Sequence, residues 1–214
     1  ERSGIHLNDV SIAYNWSALK GKNVKQVFPD SENNIWIGTS AGLYLIKSGE
    51  KIVRIANKFI GQNDTAALYI TCIQEDQQGN MWFGIEDGGF KKYDRRSHRL
   101  YSFTFSQQTK RNNVYGILED NNGFIWLSTG NGLIKLNPAT RKFQRYTQTD
   151  GLPSNTFNYN AYFKDDDGTF YFGGYKGLVS FNPSSFKPNT IKAPILFTGL
   201  KTLNHPGTED ITSA

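Results

Sequence analysis

The side chains able to do chemistry in this sequence are few and scattered. An enzyme needs a convergent constellation, yet the three histidines, His6, His98 and His205, fall near the start, in a midway hairpin and in the tail. No Gly-x-Ser-x-Gly, phosphate loop or His-Glu-x-x-His segment is present. The single cysteine, Cys72, excludes an internal disulfide and leaves too few thiolates for a cysteine zinc site. It sits in the apolar run Tyr69 to Ile73, where a small buried residue is expected. Asp165-Asp166-Asp167-Gly168 offers hard oxygen ligands, but its acids are contiguous where an EF-hand loop alternates them, and the run takes the place of the turn Asp120 to Gly123. A solvated turn is expected. The basic stretch Lys91 to Arg99 aligns with Lys135 to Arg141 and reads as a solvated hairpin, not a nucleic-acid contact. The expectation is therefore no catalytic residue, no metal and no cofactor.

What positions these residues is a repeat. Four segments align: DSENNIWIGTSAGLYLI from Asp30, DQQGNMWFGIEDGGFKKYD from Asp76, DNNGFIWLSTGNGLIKLNP from Asp120 and DDDGTFYFGGYKGLVSFNP from Asp165. Their aromatic anchors, Trp36, Trp82, Trp126 and Tyr171, are 46, 44 and 45 residues apart, each six positions after its aspartate. Within the third unit the apolar alternation and turn signals give strands at Val114 to Leu118, Phe124 to Ser128, Leu133 to Leu136 and Lys142 to Tyr146. A four-stranded antiparallel meander repeating at about 45 residues is a propeller blade. The fold class is all-β, a partial β-propeller. An anchor that recurs in every blade is expected to fill the wedge between adjacent sheets, and burying it contributes about 2 to 3 kcal/mol.

The chain of 214 residues can bury a sizeable core. Its 21 glycines and 14% aromatic content suit short strands and tight turns. A net charge of +5 indicates no particular partner. No stretch approaches the roughly 20 apolar residues that span a bilayer, so membrane attachment is expected only through segments outside this chain. Residues 1–190 read as a half blade, with Val10 to Asn15 as its outer strand, then three complete blades and a three-stranded fourth. Pro183, Pro188 and Pro194 break the pattern near residue 190, and Ile195 to Leu203 alternates as a further strand. Open blade edges are sticky, and self-association through them is expected.

Propeller ligand sites are commonly built at one end of the axis, from the loops entering the inner strands and those joining second and third strands. The first class contributes Trp16, Arg111, Asn112, Asn155 and Asn158, and the second Glu86, Asp87, Asn131, Tyr175 and Lys176. Amides, a guanidinium and aromatic faces suit polyhydroxylated or anionic sugars through paired hydrogen bonds and ring contacts.

The units resemble two-component regulator propeller repeats, found in the sensor regions of hybrid histidine kinases. The Asp-x-x-Gly turn before Ile-Trp-Ile-Gly-Thr, the Gly-Leu opening the third strand, and Thr149-Asp150-Gly151-Leu152-Pro153-Ser154-Asn155 between blades carry the likeness. The tail, Asn182-Pro183 and then Ala193-Pro194-Ile195-Leu196-Phe197-Thr198-Gly199-Leu200, is similar to the lead into the immunoglobulin-like module that follows such propellers, which makes 191–214 a linker and first strand. Asn33 for the turn glycine, Tyr171 for tryptophan and Ser128 for glycine depart from the pattern. The resemblance implies a periplasmic sensor region that binds an oligosaccharide, in a parent that is a histidine kinase. A stand-alone propeller lyase and an architectural interaction propeller are the alternatives.

Overall fold

The computed structural model describes residues 16–47, 51–55, 69–103 and 113–185, with the backbone alone at residue 16. The expected half blade at 1–15, the boundary near 190 and the segment 191–214 lie outside the described residues. Among the described residues fifteen strands form four antiparallel sheets. Blade 1 is β1 (Val24–Pro29), β2 (Ile35–Thr39), β3 (Gly42–Ile46) and β4 (Val53–Arg54). Blade 2 is β5 (Ile70–Glu75), β6 (Met81–Ile85), β7 (Gly89–Asp94) and β8 (Arg99–Phe103). Blade 3 is β9 (Val114–Glu119), β10 (Ile125–Thr129), β11 (Gly132–Leu136) and β12 (Phe143–Tyr146). Blade 4 holds three strands among the described residues, β13 (Phe157–Lys164), β14 (Phe170–Gly174) and β15 (Gly177–Phe181). Each sheet is a meander, and the inner strands β1, β5, β9 and β13 lie side by side around the axis. The expected fold is the observed one, with strand ends shifted by a residue. Phe124 belongs to the turn because its carbonyl accepts the Asp120 amide, and Lys142 closes a hairpin by accepting from Asn137.

The six-residue spacing between aspartate and aromatic has a direct physical cause. In the third blade Asp120 Oδ1 accepts the amides of Asn122 and Phe124, which shapes the turn, and Oδ2 accepts the Trp126 indole at 2.9 Å. The same bond joins Asp76 to Trp82 at 2.9 Å and Asp30 to Trp36 at 2.8 Å. Tyr171 keeps it with its hydroxyl, which donates to Asp165 Oδ2 at 3.1 Å. Asn33 takes the left-handed conformation that glycine takes in the other turns, at φ 62°.

Each of the anchors Trp36, Trp82 and Trp126 faces the next blade. Trp36 packs with Ile70, Ile73 and Phe83, Trp82 with Val114 and Ile117, and Trp126 with Phe157, Phe170 and Phe172. The aspartate thus orients the ring that fills the wedge. Ser128 is accommodated because its partner across β9 is Gly116. A Cβ at Gly116 would lie 2.3 Å from the Tyr162 ring and 2.9 Å from the Ser128 hydroxyl oxygen.

Hydrogen bonds latch neighbouring blades at the last position of the inner strand. Glu75 accepts from the Ser31 amide and hydroxyl, Glu119 accepts from the Gln77 amide, and Lys164 donates to the Glu119 carbonyl and Asn121 Oδ1. In blade 1 the position is Pro29, whose side chain can do neither. Arg95, from the hairpin between β7 and β8, adds ion pairs to Asp30, Glu32 and Glu75 at 3.0, 2.8 and 3.1 Å. The basic stretch Lys91 to Arg99 therefore contains an inter-blade clamp. Asp165 to Gly168 forms a turn in which Asp165 Oδ1 and Asp167 Oδ1 both accept the Thr169 amide.

Burial pushes the Asp30 carboxyl up, but the bonds from Asn34 and Trp36 and the charge of Arg95 more than reverse this, leaving it below 3.8. A carboxylate with a lowered folded pKa stabilises the fold above its unfolded value and loses that contribution as pH falls through the folded value. Asp30→Asn should therefore cost about 1 to 3 kcal/mol at neutral pH, by urea unfolding. The gap to the parent should narrow as pH drops below 3.8. A gap that stays constant down to acid pH would show that the Asp30 charge is not its source.

Candidate ligand-binding site

The meander sends all inner strands in one direction, so the loops entering them and the turns between second and third strands share one end of the molecule. There the first residues of the inner strands form a mouth around the axis. Lys25 of β1 places its Nζ 4.9 Å from the centroid of the Tyr69 ring, just ahead of β5. The rings of Tyr115 on β9 and Tyr159 on β13 lie 4.2 Å apart, centroid to centroid, tilted by 55°. The Tyr159 hydroxyl points to Glu86 Oε1 at 3.4 Å. Asn160 donates its amide to the Lys25 carbonyl at 3.1 Å, bringing blade 4 to blade 1 across the axis.

Local backbone devices set this geometry. Asn160 adopts φ 54° where the β13–β14 register slips, which turns consecutive residues Tyr159 and Asn160 to their separate partners. Asp87, in the turn between β6 and β7, has φ 53°, and its amide donates to Asn113 Oδ1 at 2.8 Å. Burial, the neighbouring Tyr115 and the Glu86 charge push the Tyr159 phenol well above its usual range, so it is a neutral hydrogen-bonding group at physiological pH.

The mouth thus combines three tyrosines, an ammonium, a carboxylate and two amides. Such a set can stack on a ring and exchange hydrogen bonds with hydroxyls. His98 lies in the hairpin at the opposite end, bonded to the Tyr93 hydroxyl at 2.9 Å. Cys72 is fully buried, and burial pushes its thiol up to about 12. Among the described residues no group of His, Cys, Asp and Glu is placed to hold a metal ion, and no helix is long and apolar enough to cross a membrane.

Of the residues expected at this end, Glu86 joins the mouth with its carboxylate and Asp87 with its backbone amide, and Asn158 is exposed on β13 beside Tyr159. The turn that carries Asn131 meets Asn155 one wedge further on through Gly132. The Asn155 carbonyl accepts the Gly132 amide, its side chain accepts the Gln148 amide at 2.7 Å, and Arg145 donates to the Asn131 carbonyl. Tyr175 and Lys176 form the exposed turn of blade 4. Arg111 and Asn112, and the side chain of Trp16, lie outside the described residues. Sequence reasoning missed Lys25, Tyr69, Asn113, Tyr115, Tyr159 and Asn160. A signal existed for three of them: Lys25, Tyr115 and Asn160 all stand five positions before their blade's turn aspartate.

Radial antiparallel meanders around one axis define a β-propeller. Three stretches, residues 18–41, 66–87 and 110–131, match the profile of the two-component regulator propeller family. Histidine kinase P4 of Formosa agariphila is 31% identical over 190 residues, covering 87% of this chain and 14% of that protein. In those three stretches the repeats are of the two-component regulator propeller kind. Among solved structures, the extracellular domain of a putative hybrid two-component system of B. thetaiotaomicron superposes with a TM-score of 0.61 at 21% identity, over 73% of this chain and 21% of that one. Virginiamycin B lyase from Staphylococcus aureus does so with a TM-score of 0.57 at 15% identity, over 77% and 57%. Both likenesses are of fold.

One hydrogen bond in the mouth is open to a direct check. Asn113→Ala removes the acceptor for the Asp87 amide, a bond of about 1 kcal/mol. Hydrogen exchange at Asp87 should accelerate about fivefold, with little change at Trp82. Unchanged exchange would mean that Asn113 does not hold the turn.

Proposed function

We propose that this chain is a ligand-sensing part of a two-component signalling protein, lying outside the cytoplasmic membrane in the periplasm, and that its ligand is an oligosaccharide bound at the axial mouth. The observation that carries the reading is the convergence of Tyr69, Tyr115 and Tyr159 with Lys25, Glu86 and Asn160 from four successive blades onto one opening. Aromatic faces flanked by amide and charged groups suit a sugar, whose apolar ring face stacks while its hydroxyls bond at the edges. The family of the repeats and the kinase relative support the sensing role. The chain spans only 14% of that relative, so phosphotransfer belongs to the proposal for the parent, and this chain is proposed to bind without turnover. Arg111, Asn158, Tyr175 and Lys176 are proposed as outer contacts, with Trp16, Asn112, Asn131 and Asn155 at the rim.

A panel of short neutral and uronic oligosaccharides, screened by calorimetry, tests this. At least one should bind, and Tyr159→Ala should weaken it about tenfold or more. Replacing Arg111, Asn158 and Lys176 together should weaken it further. Absence of binding across the panel, or affinity indifferent to Tyr159, would overturn the reading.

Register positions also support self-association. Leu178 occupies the place of Leu43, Phe90 and Leu133, all buried under a following blade, yet it is 62% exposed, and Phe163 on β13 of the same blade is 61% exposed. Val27 of blade 1 is 56% exposed. We propose that these faces meet in head-to-tail association of copies. Light scattering should show mass rising with concentration, and Leu178→Lys should suppress it; a monodisperse parent at high concentration would refute the idea.

A further inference from the structure

The wedge between blades 1 and 2 is not packed like its siblings. In blades 2 and 3 an outer-strand aromatic lies against the anchoring tryptophan, Phe103 at 5.3 Å from Trp82 and Tyr146 at 5.7 Å from Trp126. In blade 1 that place belongs to Ile55, whose amide bonds the Leu43 carbonyl. The facing blade departs as well. The residue paired with the position after the anchor is Tyr44 in blade 1, Ile134 in blade 3 and Val179 in blade 4, each packed among apolar neighbours. In blade 2 it is Lys91. Two departures on opposite walls of one wedge leave a cavity of about 460 Å³, with Trp36, Leu43, Ile55, Ile70, Phe83 and Leu100 among its walls. That volume suits a small ligand.

Three cations, Lys47, Lys91 and Arg95, line this cavity with two carboxylates, Asp30 and Glu32. Asp30 and Glu32 are taken up by Arg95 at 3.0 and 2.8 Å. The Lys91 ammonium donates to the Ser102 hydroxyl at 2.8 Å, and among the described residues no carboxylate pairs with it. Burial holds its pKa below 10.5, the mark of a cation that lacks a counter-charge. We infer that the wedge is a second ligand site, separate from the axial mouth, for a small amphipathic anion: an aryl or alkyl carboxylate with its apolar body between the blades and its charged head at Lys91.

The test uses 4-phenylbutyrate and its uncharged counterpart 4-phenylbutan-1-ol, titrated by NMR while the Trp36 indole and Ile55 methyl signals are followed. The carboxylate should bind saturably and about tenfold more tightly than the alcohol. Lys91→Met should abolish that preference and leave the alcohol's affinity unchanged. Ile55→Phe, which restores the sibling aromatic, should weaken both about tenfold while raising the thermal midpoint, which shows the variant to be folded. Tyr159→Ala should leave both untouched, so the two sites fail or stand independently. No saturable shift at Trp36, a preference that survives Lys91→Met, or binding that survives Ile55→Phe would each overturn the proposal.

Discussion

A buried carboxylate bonded to an indole nitrogen organises this molecule. Asp30, Asp76 and Asp120 each use one oxygen to fold a turn and the other to hold a tryptophan. A hydrogen bond to a charged group is among the stronger ones available to a protein, at about 1.5 to 3 kcal/mol. Its effect reaches past the blade that makes it, because the ring it aims becomes the surface on which the following blade rests. Local turn chemistry and inter-blade packing are thereby one interaction, and a blade that lost its aspartate would fold its turn poorly and present the wrong face to its neighbour.

This coupling explains why so much of the architecture is legible in the sequence. An aspartate six places before an aromatic is a spacing with a mechanism, and it survives exchange of tryptophan for Tyr171 because a phenol hydroxyl can donate as the indole does. The mouth is less legible. Tyr69 and Tyr159 occupy different positions relative to their turn aspartates, and the register slips in β5 and β13 decide where each ring arrives. Repeat arithmetic carries no information about such slips. Tyr175 and Lys176 illustrate the converse: a turn can be placed correctly from sequence while its side chains stand in solvent.

The two candidate ligand regions differ in kind. The mouth is assembled from residues that no single blade could bring together, and its polar groups are largely engaged with one another across blades. The wedge between blades 1 and 2 arises from omission, an isoleucine and a lysine standing where siblings place an aromatic and an apolar side chain. Arg95 clamps the wedge at one side, so the opening is held by charge where its neighbours are held by packing.

Gln26 has a wider reach than its place on β1 suggests. Its side-chain oxygen accepts the Ile73 amide at 2.6 Å, and its nitrogen donates to the Ile73 carbonyl at 3.1 Å and to the Tyr162 hydroxyl at 3.2 Å. One amide therefore ties three of the four blades together beneath the tyrosines, and it puts a floor under the opening. Separating blade 1 from blade 4 therefore breaks the Gln26–Tyr162 contact, and separating it from blade 2 breaks the two bonds to Ile73.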